Sequence, residues 1–330
     1  MEISDLQDRL EQTQARILKT IEYYLVKSEV SPQYQAAILK TLPVNSPDGY
    51  ALANERWLLL AELSNCACGG KLGEADSISA AWYLYYVAAY LMDHAEDGLA
   101  ESSFVIPPSI LINIASGHFF LGNFILAEFQ QSSPNSAKSA NIVKAFQNHL
   151  LRMGDGQQMD LTLEEINLKT YRKIAHLKSG AFFSLACWAG AYLATDNETE
   201  INAYTEFGDH LGVMIQILDD LEDWKELQNG SAKLERQKYG RILPALYALE
   251  VIPTPEKKKL LQTIDKLKIE PDEQSIREYR QIIEKAGAGL YMLTVLMGEF
   301  DQARMAIADL HAENVADKTL LSMVSSLLNF

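Results

Sequence analysis

Two stretches of this chain, SISAAWYLYYVAAYLM (77–92) and SGAFFSLACWAGAYLA (179–194), are apolar nearly all the way round a helix. A helix with one apolar stripe can lie on a surface, but a helix without a polar face must be enclosed by others. Small residues recur in both: Ala80, Ala81, Ala88 and Ala89, then Gly180, Ala186, Ala189, Gly190 and Ala191. They let neighbouring helices approach closely or leave room for a ligand. Two such segments in one chain predict an all-α protein with these helices at the centre of a large bundle.

The rest of the chain agrees. Most of the 10 prolines fall between helical patterns, and ISDLQDRLEQTQARILKTIEYYL sets Leu6, Leu10, Ile17, Ile21 and Leu25 near one face. The patterning predicts further helices over 51–66, 76–98, 108–130, 137–152, 163–195, 199–228, 240–250, 255–267, 273–297, 298–312 and 316–329. No alternating strand pattern with hairpin turns occurs, and there is no internal repeat or Gly/Ser-rich linker. One domain over 1–330 is expected, with N-terminal helices over 1–50 and a catalytic core over 51–330.

Two apolar helices end in carboxylates, the first of them the 77–92 helix itself. LMDHAEDG carries Asp93, Glu96 and Asp97, and MIQILDDLEDW carries Asp219, Asp220, Glu222 and Asp223. Helical spacing puts Asp93, Glu96 and Asp97 on one face, and Asp219, Glu222 and Asp223 on another, with Gln216 one turn earlier. Like charges at that spacing repel, and an apolar helix is a costly place for them. A solvated acidic helix end would account for one such motif. Two of like form point to a hard divalent cation, and Mg²⁺ takes a carboxylate or two together with substrate phosphates.

The charge balance fits that reading. A net charge of −15 excludes nucleic acid as a partner, because phosphate binding needs a basic face. Carboxylates can bind a diphosphate only through metal. Three cysteines (Cys66, Cys68, Cys187) are too few for a disulfide framework, so a reducing cytoplasm is expected. No run of about 18 uncharged apolar residues stands out as a membrane span, and the N-terminus has no leader pattern. GDGQQMDL adds Gln157 and Asp160, HLKSGAFF adds Lys178, and QKYGRILPALYAL adds Lys238. Each lysine alone reads as a surface residue. Beside the acidic motifs they become point charges for a diphosphate.

These residues resemble the trans-isoprenyl diphosphate synthase superfamily, which includes class I terpene synthases. GDHLGVMIQILDDLEDW looks like its second aspartate-rich motif, and DHAED looks like the first, with His94 at the second aspartate. GQQMD, LKSGA and QKYGRILPAL are similar to its remaining diphosphate-site segments. The resemblance implies the class I isoprenoid synthase fold, a single-domain antiparallel helical bundle around a central apolar cavity, with three Mg²⁺ ions and a homodimer. It assigns metal binding to Asp93, Glu96, Asp97, Asp219 and Asp223. Diphosphate contacts fall to Lys178, Lys238, Gln157, Gln216 and Arg56, and catalysis rests on Asp93, Asp97, Asp219 and Lys178. Residues four and five before the first motif, Ala89 and Ala88, would line the cavity floor with Tyr85, Tyr86 and Phe182. Small floor residues imply an allylic substrate of C15 to C25, with C20 favoured.

The departures bear on the reaction. Chain-elongating members carry a Gly-Lys-Arg-x-Arg-Pro segment where this chain reads ALANERWLLL, which leaves only Arg56. Tyr86 stands where those members have a histidine, and SSFVIPPS replaces their Arg-Arg-Gly. Those basic residues hold the second substrate, isopentenyl diphosphate. The leading expectation is therefore ionisation of an allylic prenyl diphosphate, then cyclisation and deprotonation, with the aromatic helix Trp82–Tyr90 stabilising the cation. Two alternatives stay open: prenyl transfer, either elongating a chain or modifying a non-isoprenoid acceptor, and a non-catalytic subunit of a heteromeric synthase.

Overall fold

The computed structural model describes residues 3–42, 55–96, 106–163, 166–229, 238–308, 310 and 314–328, with side chains left aside for 3–10 and Glu55. Asp97, Leu6 and Leu10 therefore fall outside the described positions or side chains. In chain order the α-helices are α1 (Ile3–Lys27), α2 (Pro32–Lys40), α3 (Leu60–Ala67), α4 (Asp76–Glu96), α5 (Pro108–Ser132), α6 (Ser136–Thr162) and α7 (Leu168–Ala175). They continue as α8 (Ala181–Ala194), α9 (Glu198–Asn229), α10 (Leu243–Val251), α11 (Thr254–Ile269), α12 (Glu273–Lys285), α13 (Ala288–Ile307) and α14 (Val315–Ser326). Among the described residues there is no strand, so the fold is all-α.

Residues cluster into two compact units. The first comprises Met1–Gln147, Leu185–Thr205 and Ile307–Phe330, and the second Asn148–Ser184 and Glu206–Ala306.

In the first unit α4 is the enclosed helix that its composition predicts, with Ala80, Ala81, Trp82, Leu84, Tyr85 and Ala88 all buried. Burying an aromatic or large aliphatic side chain stabilises by roughly 2 kcal/mol, which outweighs the conformational freedom it loses. α4 runs along α5, and the missing side chain of Gly122 makes the contact possible: a Cβ there would lie 2.9 Å from the Tyr85 ring. Tyr85 also faces Phe119 and Phe146, at 5.8 and 6.0 Å between centroids. α8 meets α3 in the same manner, since a Cβ on Gly190 would sit 2.0 Å from the Ala61 carbonyl oxygen. α1 is tied to this core through Arg16, which pairs with buried Glu62 on α3 and with Asp76 at the start of α4 (3.1 Å). α5 is long and apolar enough to cross a membrane, yet half of its most apolar stretch is buried within the protein. Its His118 is wholly buried and bonds the Thr41 hydroxyl at 2.8 Å.

Helix ends follow local chemistry. Ser31 caps α2 ahead of Pro32, and Asn167, Asp272 and Asn314 cap α7, α12 and α14 with side-chain oxygens. α3 stops at Gly69, whose φ of +88° only glycine adopts freely, and the Gly70 N–H returns to the Asn65 carbonyl.

The structure differs from the expected boundaries in four main places, one being α6, which runs on to Thr162 rather than ending at 152. Instead of a helix over 51–66, residues Glu55–Leu59 form a 3₁₀ turn ahead of α3. The continuous helix expected over 163–195 is broken by a π-helical turn at His176–Gly180. The break expected between 297 and 298 lies instead between α12 and α13. Gly287 supplies the positive φ (+79°) that ends a helix there, whereas Gly298 remains inside α13. Glycine terminates a helix only when its backbone turns left-handed; otherwise it merely weakens it by about 1 kcal/mol.

Candidate active site

Seven of the expected site residues belong to the second unit. On α9, Gln216, Asp219 and Asp223 are half-buried and Glu222 is exposed. Asp220 points the other way, into the core. Its Oδ2 accepts the Leu243 backbone N–H at 2.8 Å, where α10 begins. Burial raises the Asp220 carboxyl to about 7, against the opposing effects of the Leu243 N–H and the Tyr171 hydroxyl. The adjacent aspartates of this motif therefore have different work: Asp219 and Asp223 offer oxygens outward, and Asp220 anchors α10.

Three cations lie against carboxylates of this unit, one at Asp223 and two at Asp160. Lys238 sits in the 3₁₀ turn Lys238–Gly240, with its Nζ 3.6 Å from Asp223 Oδ2. Lys178, in the π turn, places its Nζ 3.6 Å from Asp160 Oδ2 near the end of α6. Arg241 approaches the other oxygen of Asp160 at 3.8 Å and donates to the Leu163 carbonyl at 2.7 Å. Gln216 accepts a hydrogen bond from Ser179 Oγ at 3.1 Å, which links α9 to the π turn. Gln157 lies on α6 three residues before Asp160 and is half-buried. Phe182 is buried just past the turn, edge-on to Phe183.

Sequence reasoning missed two residues here. Arg241 lies inside QKYGRILPAL, three positions after Lys238, and the tight turn brings both cations to this cluster. Tyr171 comes from α7, and only its apolar-face position marked it. Its hydroxyl is buried with no partner at full hydrogen-bonding geometry. Burial, then Asp220, Asp219 and Asp160, hold its proton firmly in place.

The first unit carries the remaining expected residues. Asp93 is half-buried near the end of α4 and Glu96 is exposed on its last turn. His94 does not imitate a carboxylate. Its Nδ1 lies 3.2 Å from the Tyr90 carbonyl and its ring lies against the Tyr90 ring, 4.1 Å between centroids. Ala88 is fully buried and Ala89 half-buried, and Tyr86 stacks on Trp82. Arg56 Nη1 donates to Ser326 Oγ at 2.6 Å, so this arginine is held against α14.

The donor set fits Mg²⁺. Asp219 and Asp223 present oxygen atoms alone on one half-buried face of α9, a donor type that this hard cation accepts. Mg²⁺ is held by one or two carboxylates completed by water and substrate phosphate.

The chain is similar to known proteins over most of its length. Residues 111–286 match the polyprenyl synthetase family. A short chain isoprenyl diphosphate synthase of Methanothermobacter thermautotrophicus is 25% identical over 280 residues, covering 81% of this chain and 82% of that one. A geranylgeranyl pyrophosphate synthetase from Pyrococcus horikoshii superposes with a TM-score of 0.83 at 19% identity, over 100% of both chains. A polyprenyl synthase from Caulobacter crescentus, crystallised with calcium and isoprenyl diphosphate, gives a TM-score of 0.78 at 18% identity, over 98% of this chain and 97% of that one. The chain is thus an enzyme of the polyprenyl synthetase family, within the trans-isoprenyl diphosphate synthase superfamily.

Proposed function

We propose that the protein is a Mg²⁺-dependent prenyltransferase that takes an allylic prenyl diphosphate of C15 to C25 as donor. The observation that carries this reading is the cluster of Lys178, Lys238 and Arg241 against the carboxylates of Asp160 and Asp223. Lysine supplies a point charge and arginine a planar fork, which together suit the oxygens of a diphosphate. Asp219 and Asp223 on α9, Asp93 and Glu96 at the end of α4, and Asp97 next in sequence are the metal ligands of this reading. Bound Mg²⁺ neutralises the leaving diphosphate and so favours C–O ionisation. Lys178, Lys238 and Arg241 hold the diphosphate oxygens, and Gln157 and Gln216 orient them. Apolar residues such as Phe182 keep water from the allylic cation.

Transfer is preferred to the cyclisation expected from sequence, because the family match and the relatives are prenyl diphosphate synthases. Cyclisation remains the second reading, and one observation favours it. Of the basic residues that would hold isopentenyl diphosphate only Arg56 is present, and it is engaged by Ser326. The exposed Ile112 and Phe120 of α5 support a homodimer, which light scattering would test.

One assay separates the readings. The protein is incubated with Mg²⁺ and geranyl, farnesyl or geranylgeranyl diphosphate, with and without isopentenyl diphosphate, and the products are identified by mass spectrometry. A longer diphosphate formed only with isopentenyl diphosphate supports elongation. Hydrocarbon or alcohol formed without it supports cyclisation and overturns the preferred reading.

A further inference from the structure

Four observations converge on the π turn His176–Gly180. First, its winding departs from the helices on either side. A π turn holds one residue more than an α turn, which rotates Lys178 by about 100° relative to a regular continuation into α8. Second, the turn is closely packed through glycines. A Cβ on Gly180 would meet Asp209 Oδ1 at 2.4 Å, one on Gly212 would meet the Ser179 carbonyl oxygen at 2.4 Å, and one on Gly156 would meet the Lys178 nitrogen at 2.8 Å. Third, His176 Nδ1 lies 2.8 Å from Asp209 Oδ2 on α9. A carboxylate at that nitrogen fixes the tautomer, so Nδ1–H donates. Fourth, the turn carries two members of the candidate site, Lys178 beside Asp160 and Ser179 bonded to Gln216.

We infer that His176 is a positioning residue for diphosphate binding: its bond to Asp209 locks the π turn in the winding that aims Lys178. The inference rests on the reading of Lys178 as a diphosphate ligand. His176 touches no reacting atom. Three charged groups face it: Asp209 from α9, Glu299 from α13, which itself bonds His210, and Arg172 from α7. Asp209 and Glu299 favour the protonated ring and Arg172 opposes it, so the bond strengthens when the ring is charged. Without this bond the close glycine contacts still let the turn form. With the Ser179–Gln216 bond left to tie it to α9, the turn is freer to relax towards the α-helical winding that the flanking residues prefer, which would swing Lys178 away from Asp160.

The test is calorimetric titration of inorganic pyrophosphate, in excess Mg²⁺, into the full-length protein and its variants. His176→Phe should weaken binding about tenfold, the effect of losing one charge-assisted hydrogen bond. His176→Asn, which keeps an N–H donor at the position of Nδ1, should stay within about twofold of wild type. In a Lys178→Ala background His176→Phe should produce no additional loss, because it acts only through Lys178. Should His176→Phe fail to fold, Asp209→Ala takes its place with the same expectations. A wild type that binds pyrophosphate, with a His176→Phe that binds equally well or whose loss adds to that of Lys178→Ala, overturns the inference alone. A wild type that does not bind pyrophosphate with Mg²⁺ overturns the functional reading, and the inference falls with it.

Discussion

Asp220 Oδ2 accepts the backbone N–H of Leu243 at 2.8 Å, and this bond fixes the first turn of α10 to the middle of the acidic motif. Asp220 and its neighbour Asp219 are chemically identical and separated only by the helical rotation, yet one is buried and the other half-exposed. They should separate cleanly in mutagenesis. Asp220→Ala leaves a buried N–H without an acceptor and should lower unfolding free energy by about 1–3 kcal/mol in urea denaturation. Asp219→Asn should change stability by less than about 0.5 kcal/mol while lowering kcat/KM at least a hundredfold. Equal effects of the two on stability would contradict the division of roles.

Arg241 tests whether the third cation belongs to the site. Arg241→Lys keeps the charge but loses the fork that reaches both Asp160 and the Leu163 carbonyl. Its KM for farnesyl diphosphate should rise by about five- to tenfold, an effect of about 1–1.4 kcal/mol. An unchanged KM in steady-state assays would place Arg241 among structural residues.

The two alanines near the end of α4 should respond differently to enlargement. Ala89 is half-buried, so Ala89→Phe should fold with near-native stability and shift preference to shorter donors in a competition assay. Ala88 is fully buried, and Ala88→Phe should cost about 1–3 kcal/mol by overpacking before any change of specificity is seen. A chain-length profile untouched by Ala89→Phe would remove this residue from the floor.

His118 predicts a pH dependence of stability. Burial drives its pKa down to about 3, so the folded protein keeps the ring neutral. The unfolded chain takes up a proton near 6.5, the unperturbed value. The contribution is complete above about pH 6.5 and is lost as pH falls towards 3, by at most about 1.4 kcal/mol per pH unit. His118→Phe should flatten this part of the stability profile, measured by denaturant titration at a series of pH values. A slope equal to wild type would contradict the assignment.

Much of the fold was legible because the apolar helices carry their own instruction. α4 has no polar face and therefore no surface position. Its burial followed from composition, as did the enclosure of Phe183, Leu185 and Ala186 on α8. The site was legible where helical spacing decides it: Asp219 and Asp223 share a face because they are four residues apart. What the sequence did not reveal depended on backbone winding and on contacts between distant segments. Nothing in HLKSG distinguishes a π turn from an α turn, and the difference arises from glycines at 156 and 212 that leave room for it. Arg241 was in view but unassigned, because its partner Asp160 is on another helix. His94 looked like a substitution within a metal motif, and its contact with Tyr90 is set by the local turn, not by the motif.

The pairing of Lys178 and Arg241 with Asp160, and of Lys238 with Asp223, means that this part of the protein holds its own internal counter-ions. If the proposed function holds, a diphosphate would enter by exchange, its oxygens taking over cations that the carboxylates release. The net gain would be the difference between two sets of ion pairs. A single phosphate or sulfate, bearing less charge and fewer oxygens, would gain less from displacing the internal pairs. Such a site would favour the diphosphate end of a metabolite over free phosphate.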